Sequence, residues 1–222
     1  GKDILTVDSL SKTVNGVKVL DRISFTLRKE DKVAFVGDEI AITALFSILN
    51  EEMDPDEGSF KWGISTTRSY FPHDNTAYFD GCDESILDWM RRYSKDQTES
   101  YLRGFLGKML FSNDAVFKSV GVLSGGEKVR CMFSRMMMFG SNMLIIDQPT
   151  DHLDLESITA LNNGLSNYKG CMLLTSHDQE LMNTVANRII EITPKGIIDK
   201  SISYDDYLES EEIRELQKEM YS

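Results

Sequence analysis

Four short stretches of this 222-residue chain carry residue types that do chemistry. KVAFVG (32–37) is apolar and ends on Gly37, MLIID (143–147) ends on the carboxylate of Asp147, and CMLLTS (171–176) runs into His177 and Asp178. An aspartate closing an apolar strand is a natural Mg²⁺ anchor, reaching the ion directly or through water. A histidine after a neighbouring strand can touch a γ-phosphate or the attacking water. The fourth stretch, Ser124-Gly125-Gly126-Glu127, opens a helical run. Ser124 and Glu127 have capping-box spacing. A cap alone needs no glycines, each of which weakens a helical turn by about 1 kcal/mol. Glycines there let a phosphate approach bare backbone N–H groups at the positive end of the helix dipole.

The elements that position these residues can be read from periodicity. Residues 4–7, 17–20, 23–27 and 32–37 read as strands, with Asn15-Gly16 as a hairpin turn. Spacing turns helical from Ala41 to Leu49, a loop follows at 54–58, and short strands lie at 60–62 and 69–71. Residues 84–140 are helical in pattern with little β signal. Strand and helix then alternate: strand 143–147, helix from about 155 to 168, strand 171–176, helix 178–186, strand 188–192. Continuously apolar strands between helices imply a parallel sheet covered on both faces. In such a sheet ligands bind beyond the carboxyl ends of the strands, so the three loaded ends point at one place. Taken together they imply a P-loop nucleotide fold. The chain divides into a β subdomain with the phosphate loop (1–74), a helical subdomain (75–140), core α/β (141–200) and an acidic C-terminal helix (201–222). That last helix puts Leu208, Ile213 and Leu216 on one side and solvated charge on the other.

Composition narrows the function classes. Twenty-four basic against thirty-six acidic residues give a net charge of −12, which argues against a broad nucleic-acid-binding face. No apolar run approaches the about 18 residues of a membrane span, so no direct membrane insertion is expected, and no secretory leader is apparent. Cys82, Cys131 and Cys171 are scattered, a pattern of reduced cytosolic thiols rather than a zinc site or disulfide frame. Met132, Met136, Met137 and Met138 read as adaptable core filler.

LSGGE at 123–127, the strand ending at Asp147, P-T-x-H-L-D at 149–154 and T-S-H-D at 175–178 together resemble the ABC ATPase family over essentially the whole chain. Transporter subunits usually carry LSGGQ. The LSGGEK and PTxHLD forms look like the ABC-F subgroup, whose members hold two ATP-binding domains in one polypeptide and generally act on the ribosome. FKWG, LRGFLGKMLF and LESITALNNGL look like the C-terminal ATP-binding domain of such a protein. The resemblance implies a P-loop NTPase fold with an inserted helical subdomain. It also implies ATP and Mg²⁺ as cofactors, a second ABC domain and the ribosome as partners, and a cytoplasmic location. ABC domains pair head to tail, so each ATP lies between one domain's P-loop and the other's LSGGE.

Against that pattern the chain's own pocket is degraded. A P-loop reads G-x-x-x-x-G-K-[ST]; here Gly37-Asp38-Glu39-Ile40-Ala41-Ile42-Thr43-Ala44 is one residue short. Thr43 holds the Mg²⁺-binding hydroxyl position, while Ile42 stands for the lysine and Ala41 for the second glycine. One unit charge pair at 4 Å and an effective dielectric near 20 is worth about 4 kcal/mol, so losing the lysine weakens nucleotide binding severely. Backbone N–H groups remain to cradle phosphate. Gln148 replaces the glutamate that polarises water, and loss of a general base costs about 10²–10⁴ in rate. His73 replaces the Q-loop glutamine, and Val14 the adenine-stacking aromatic. The intact signature, Ser124, Gly125, Gly126 and Glu127, is expected to serve the partner's site, with His177 and the D-loop Asp154 acting in communication. A membrane-transporter subunit and a noncatalytic P-loop module are the alternatives.

Overall fold

The computed structural model describes residues 3–222. Asn15 (φ 50°) and Gly16 (φ 79°) turn strand β1 (Asp3–Val14) into β2 (Val17–Arg28). The two strand segments read at 17–20 and 23–27 are one strand, kinked where Arg22 takes φ 47° and the register against β1 slips. Then follow β3 (Lys32–Gly37), helix α1 (Glu39–Leu49), β4 (Glu57–Trp62) and β5 (Arg68–Phe71). The helical block supplies α2 (Ile86–Arg91), α3 (Glu99–Lys108) and α4 (Gly125–Met138), with two short 3₁₀ turns between α3 and α4. The C-terminal third runs β6 (Met143–Asp147), α5 (Leu155–Ser166), β7 (Cys171–Thr175), α6 (Gln179–Val185), β8 (Arg188–Thr193) and β9 (Gly196–Lys200). Helices α7 (Tyr204–Glu209) and α8 (Glu211–Met220) end the chain.

A three-stranded antiparallel sheet, β2-β1-β4, sits beside a six-stranded sheet in the order β5-β6-β7-β3-β8-β9. The latter is parallel from β5 to β8, with β9 as an antiparallel edge. Side chains alternate along its strands, as the pleat requires. Ala34, Leu144, Ile146, Met172, Leu174 and Ile189 face one core with the helical subdomain and α5–α8. Val33, Phe35, Ile145, Leu173 and Ile190 face the other, with α1 and the β subdomain. Both faces are therefore dry, and the polar strand ends are what the sheet offers to a ligand. The α/β class with an antiparallel subdomain and a helical insertion agrees with the sequence reading.

Two features differ from that reading. Gly196 (φ 129°) turns the chain back into β9, an edge strand whose two apolar residues, Ile197 and Ile198, follow β8 too closely to register as a separate apolar period. The tail is two helices, because Ser210 is extended (φ −73°, ψ 123°) and caps α8 through the Ile213 amide. Tyr207 and Ile213 are buried while Leu208 is exposed. The tail is also not wholly solvated. Glu191 of β8, itself 5% exposed, accepts hydrogen bonds from Tyr207 Oη (2.6 Å), Gln217 Nε2 (2.7 Å) and Tyr221 Oη (2.6 Å). Met132, Met136 and Met138 are buried in the core and Met137 packs against it. All three cysteines are free.

Candidate nucleotide site

The β3–α1 junction is where a phosphate loop belongs, and here a single residue spans it. β3 ends at Gly37, Asp38 caps the helix by accepting from the Ile40 amide (2.9 Å), and α1 starts at Glu39. Gly37 is dictated by backbone geometry: φ is 110°, and a Cβ would lie 2.3 Å from the Ile192 carbonyl oxygen on β8. The helix begins this early because Ala41, Ile42, Ala44 and Leu45 are strong apolar packers. All four are buried in the core shared with the β subdomain. Ile42, in the lysine position, therefore points into that core, and its amide bonds to the Asp38 carbonyl (3.0 Å). Two of the amides that the sequence leaves open, those of Ile40 and Ile42, are taken up by cap and helix. Only Gly37, Asp38, Glu39 and Ile40 face solvent.

One turn further, Thr43 Oγ1 donates to Asp147 Oδ2 at 2.8 Å, so the two metal-type residues meet as the sequence implied. Asp147 is 1% exposed, and burial pushes its carboxyl above the usual carboxylate range, with Glu39 and Asp151 adding to the effect against the Thr43 bond. Asp147→Asn is expected to stabilise the fold by about 1 kcal/mol at pH 7, the scale of relieving a functional-site residue. The sign follows from the raised pKa. The penalty is absent where Asp147 is protonated in both states, and sets in as pH rises above the ordinary carboxylate value. Urea unfolding at pH 7 and pH 3 checks this; an equal gain at both would contradict it. Beside it, Gln148 sits at φ 53° with its amide N–H donating to Thr175 O (2.9 Å). Its buried Oε1 has no hydrogen-bond partner.

His177 stands at the mouth, exposed, with Nε2 hydrogen-bonded to Glu39 Oε1 and Nδ1 3.1 Å from Asp151 Oδ1. The Glu39 bond first, then the Asp151 bond, raises the imidazole above its ordinary pKa. His73 Nε2 lies 3.6 Å from the other oxygen of Asp151. The structure thus gathers Glu39, Thr43, His73, Asp147 and His177. Val14 lies apart, at the hairpin end of β1, packed against the core. Asp151 and the Glu39–His177 contact went unread in the sequence. The signal was present: Asp-Glu before an apolar helical run marks an N-cap and acidic first turn, hence a helix rather than a loop.

The signature turn is a separate surface. Ser124 Oγ accepts from the Glu127 amide (3.2 Å) and Glu127 Oε1 accepts from the Ser124 amide (3.1 Å), completing a capping box. Lys118 Nζ holds the same carboxylate at 2.9 Å. Ser124 and Gly125 are exposed. The amides of Gly125 and Gly126 lie in the first turn of α4, where no intrahelical acceptor exists. Gly126 has a packing reason as well: a Cβ would come 2.9 Å from the His152 carbonyl oxygen. His152 (φ 68°) belongs to the 148–154 loop, which ends at Asp154, the cap of α5 through the Ser157 amide (2.8 Å). That loop touches the cleft through Asp151 and the signature turn through His152.

ATP with Mg²⁺ is the group these motifs imply, and the two surfaces differ in fit. The cleft fits a triphosphate poorly: its lysine position is a buried isoleucine, the Ile40 and Ile42 amides are already bonded, and Glu39 presents a carboxylate. The signature turn does fit a phosphate, with bare amides at a helix start and no acidic side chain free to oppose it, since Glu127 is held by Lys118.

The family model described as "ABC transporter" matches residues 20–151. The chain is 58% identical over its whole length to the "Uncharacterized ABC transporter ATP-binding protein YkpA" of Bacillus subtilis (strain 168), 42% of which it covers. It is 26% identical to "ABC transporter F family member 2" of Arabidopsis thaliana (99% of this chain, 33% of that one). Against the "Energy-dependent translational throttle protein EttA" of Escherichia coli (strain K12) the identity is 28% (90% and 36%). The chain thus spans less than half the length of these relatives. In fold it is similar to a nucleotide-free ATP-binding cassette from an ABC transporter, with TM-score 0.75, 15% identity, and 96% and 98% of the two chains covered. Among the described residues no helix is long and apolar enough to cross a membrane. The chain belongs to the ABC transporter family, as one of its ATP-binding domains.

Proposed function

We propose that this domain is the signature-donating half of an ABC-F-type pair, with a degenerate cleft of its own. Ser124, Gly125, Gly126 and Glu127 form a turn that meets the γ-phosphate of an ATP held by a second ABC domain, and Asp154 and His177 link the two sites. The observation that carries this reading is the contrast between an exposed signature turn with bare amides and a cleft whose loop has folded into α1. LSGGEK, PTxHLD and the likeness to EttA support the ABC-F assignment and a cytoplasmic, ribosome-linked role in which ATP binding drives a conformational change. The isolated domain is then a weak or inactive ATPase.

Titration with fluorescent ATP tests the reading. The chain alone should show no micromolar Mg²⁺-dependent binding and no turnover. With an ABC domain carrying an intact G-x-x-x-x-G-K-[ST], it should associate one to one only when ATP is present. Steady turnover by this chain alone would defeat the proposal. The direct β3–α1 junction also favours a second reading, a noncatalytic interaction module, in which association with the partner would not depend on ATP.

A further inference from the structure

We infer that Glu39 is a built-in anion occupying the terminal-phosphate position of this chain's own cleft, where it holds His177 and excludes a triphosphate. The inference rests on the reading just given, that the cleft is degenerate, and deepens it by naming the residue that replaces the ligand. A histidine after β7 is placed to touch a γ-phosphate; here its Nε2 is satisfied by the Glu39 carboxylate from the first turn of α1. That carboxylate stands at a helix start, the same dipole position a phosphate would take. One turn along α1, Thr43 is hydrogen-bonded to Asp147.

The consequence reaches the other surface. His177 Nδ1 is 3.1 Å from Asp151, and Asp151 lies in the same loop as His152, whose carbonyl abuts Gly126. In an ATP-filled cleft the ligand would fix this histidine and, through it, the loop. With Glu39 in place the loop is fixed without nucleotide, and the signature turn is held ready for the partner. Glu39 is thus a positioning residue for the signature turn and a specificity determinant against a third phosphate in this cleft.

The test measures Mg-ATP and Mg-ADP binding by calorimetry for the unchanged chain, Glu39→Gln and Glu39→Ala, with the His177 ring resonances followed by NMR. Glu39 is an exposed first-turn residue, and the isosteric Gln variant guards against a folding defect. Removing the carboxylate should raise Mg-ATP affinity at least tenfold and Mg-ADP affinity less than threefold, because only ATP has the phosphate that competes with Glu39. The His177 resonances should shift in both variants and shift again on adding Mg-ATP. Equal gains for the two nucleotides, or no gain for either, would overturn the inference and leave the degenerate-cleft reading standing. Micromolar Mg-ATP binding by the unchanged chain would instead defeat that reading, and this one with it.

Discussion

Gly125→Asp is expected to lower ATP turnover at the partner domain's site by about 10²–10³-fold, the cost of losing one preorganised donor to developing negative charge. The variant adds a carboxylate where the γ-phosphate would approach, so repulsion acts in the same direction. What makes it informative is that the fold should hardly notice. A Cβ at Gly125 meets nothing closer than His152 Cβ at 3.7 Å, ordinary contact distance. An acidic residue in the first turn of α4 also favours the helix. The melting temperature of the domain should therefore move by only a few degrees, while steady-state turnover of the paired domains collapses. Gly126→Ala is the contrasting variant: its Cβ would sit 2.9 Å from a backbone oxygen of the 148–154 loop, so it should disturb loop and signature turn together. Unchanged turnover in Gly125→Asp, with pairing intact, would mean that this turn does not face the nucleotide.

How legible the molecule was depended on whether local pattern and tertiary packing agreed. The central strands β6 and β7 are almost uniformly apolar because both faces are covered, and they read directly. The capping box at Ser124 is local chemistry, and it appears in the structure atom for atom. At the β3–α1 junction the helical spacing from Ala41 to Leu49 read correctly, while alignment to a P-loop kept residues 38–40 as loop, and the helix in fact begins at Glu39. Replacement of glycine by Ala41 and lysine by Ile42 gives the segment both helix propensity and a face to bury, and tertiary packing then draws it into the core. Asp151 could not be placed from spacing, since its partners His73 and His177 come from β5 and β7, which meet only through β6. The break at Ser210 was readable: Ser203 and Ser210 each precede an acidic first turn, so two caps mark two helices.

Glu191→Ala is expected to destabilise the domain by roughly 3 kcal/mol, the largest effect anticipated for a residue outside the candidate site. Glu191 lies on β8 opposite Val36 of β3 and accepts from three donors, Tyr207, Gln217 and Tyr221, supplied by α7, α8 and the residue after it. Burial raises the phenol pKa of both tyrosines, so each remains a protonated donor at neutral pH. Truncation to alanine strands the buried Tyr207 hydroxyl without an acceptor, and the cost of an unsatisfied buried group exceeds the worth of the bond itself. For a chain of this size the loss corresponds to a drop in melting temperature of roughly 10 °C. Hydrogen exchange should show α7 and α8 losing protection before the sheet does, because Ile213 and Tyr207 are their principal buried anchors. Glu191→Gln should fall between, keeping an acceptor oxygen while setting its own N–H₂ donors against one of the tyrosine hydroxyls. If Glu191→Ala stayed within 1 kcal/mol of the unchanged chain, with α8 as protected as before, the carboxylate would not be what ties the tail to β8. A tail that does release uncovers the β8 strand beside Gly37, the residue from which the chain enters the cleft, so the clamp on the C-terminal helices also supports the strand end that shapes the site.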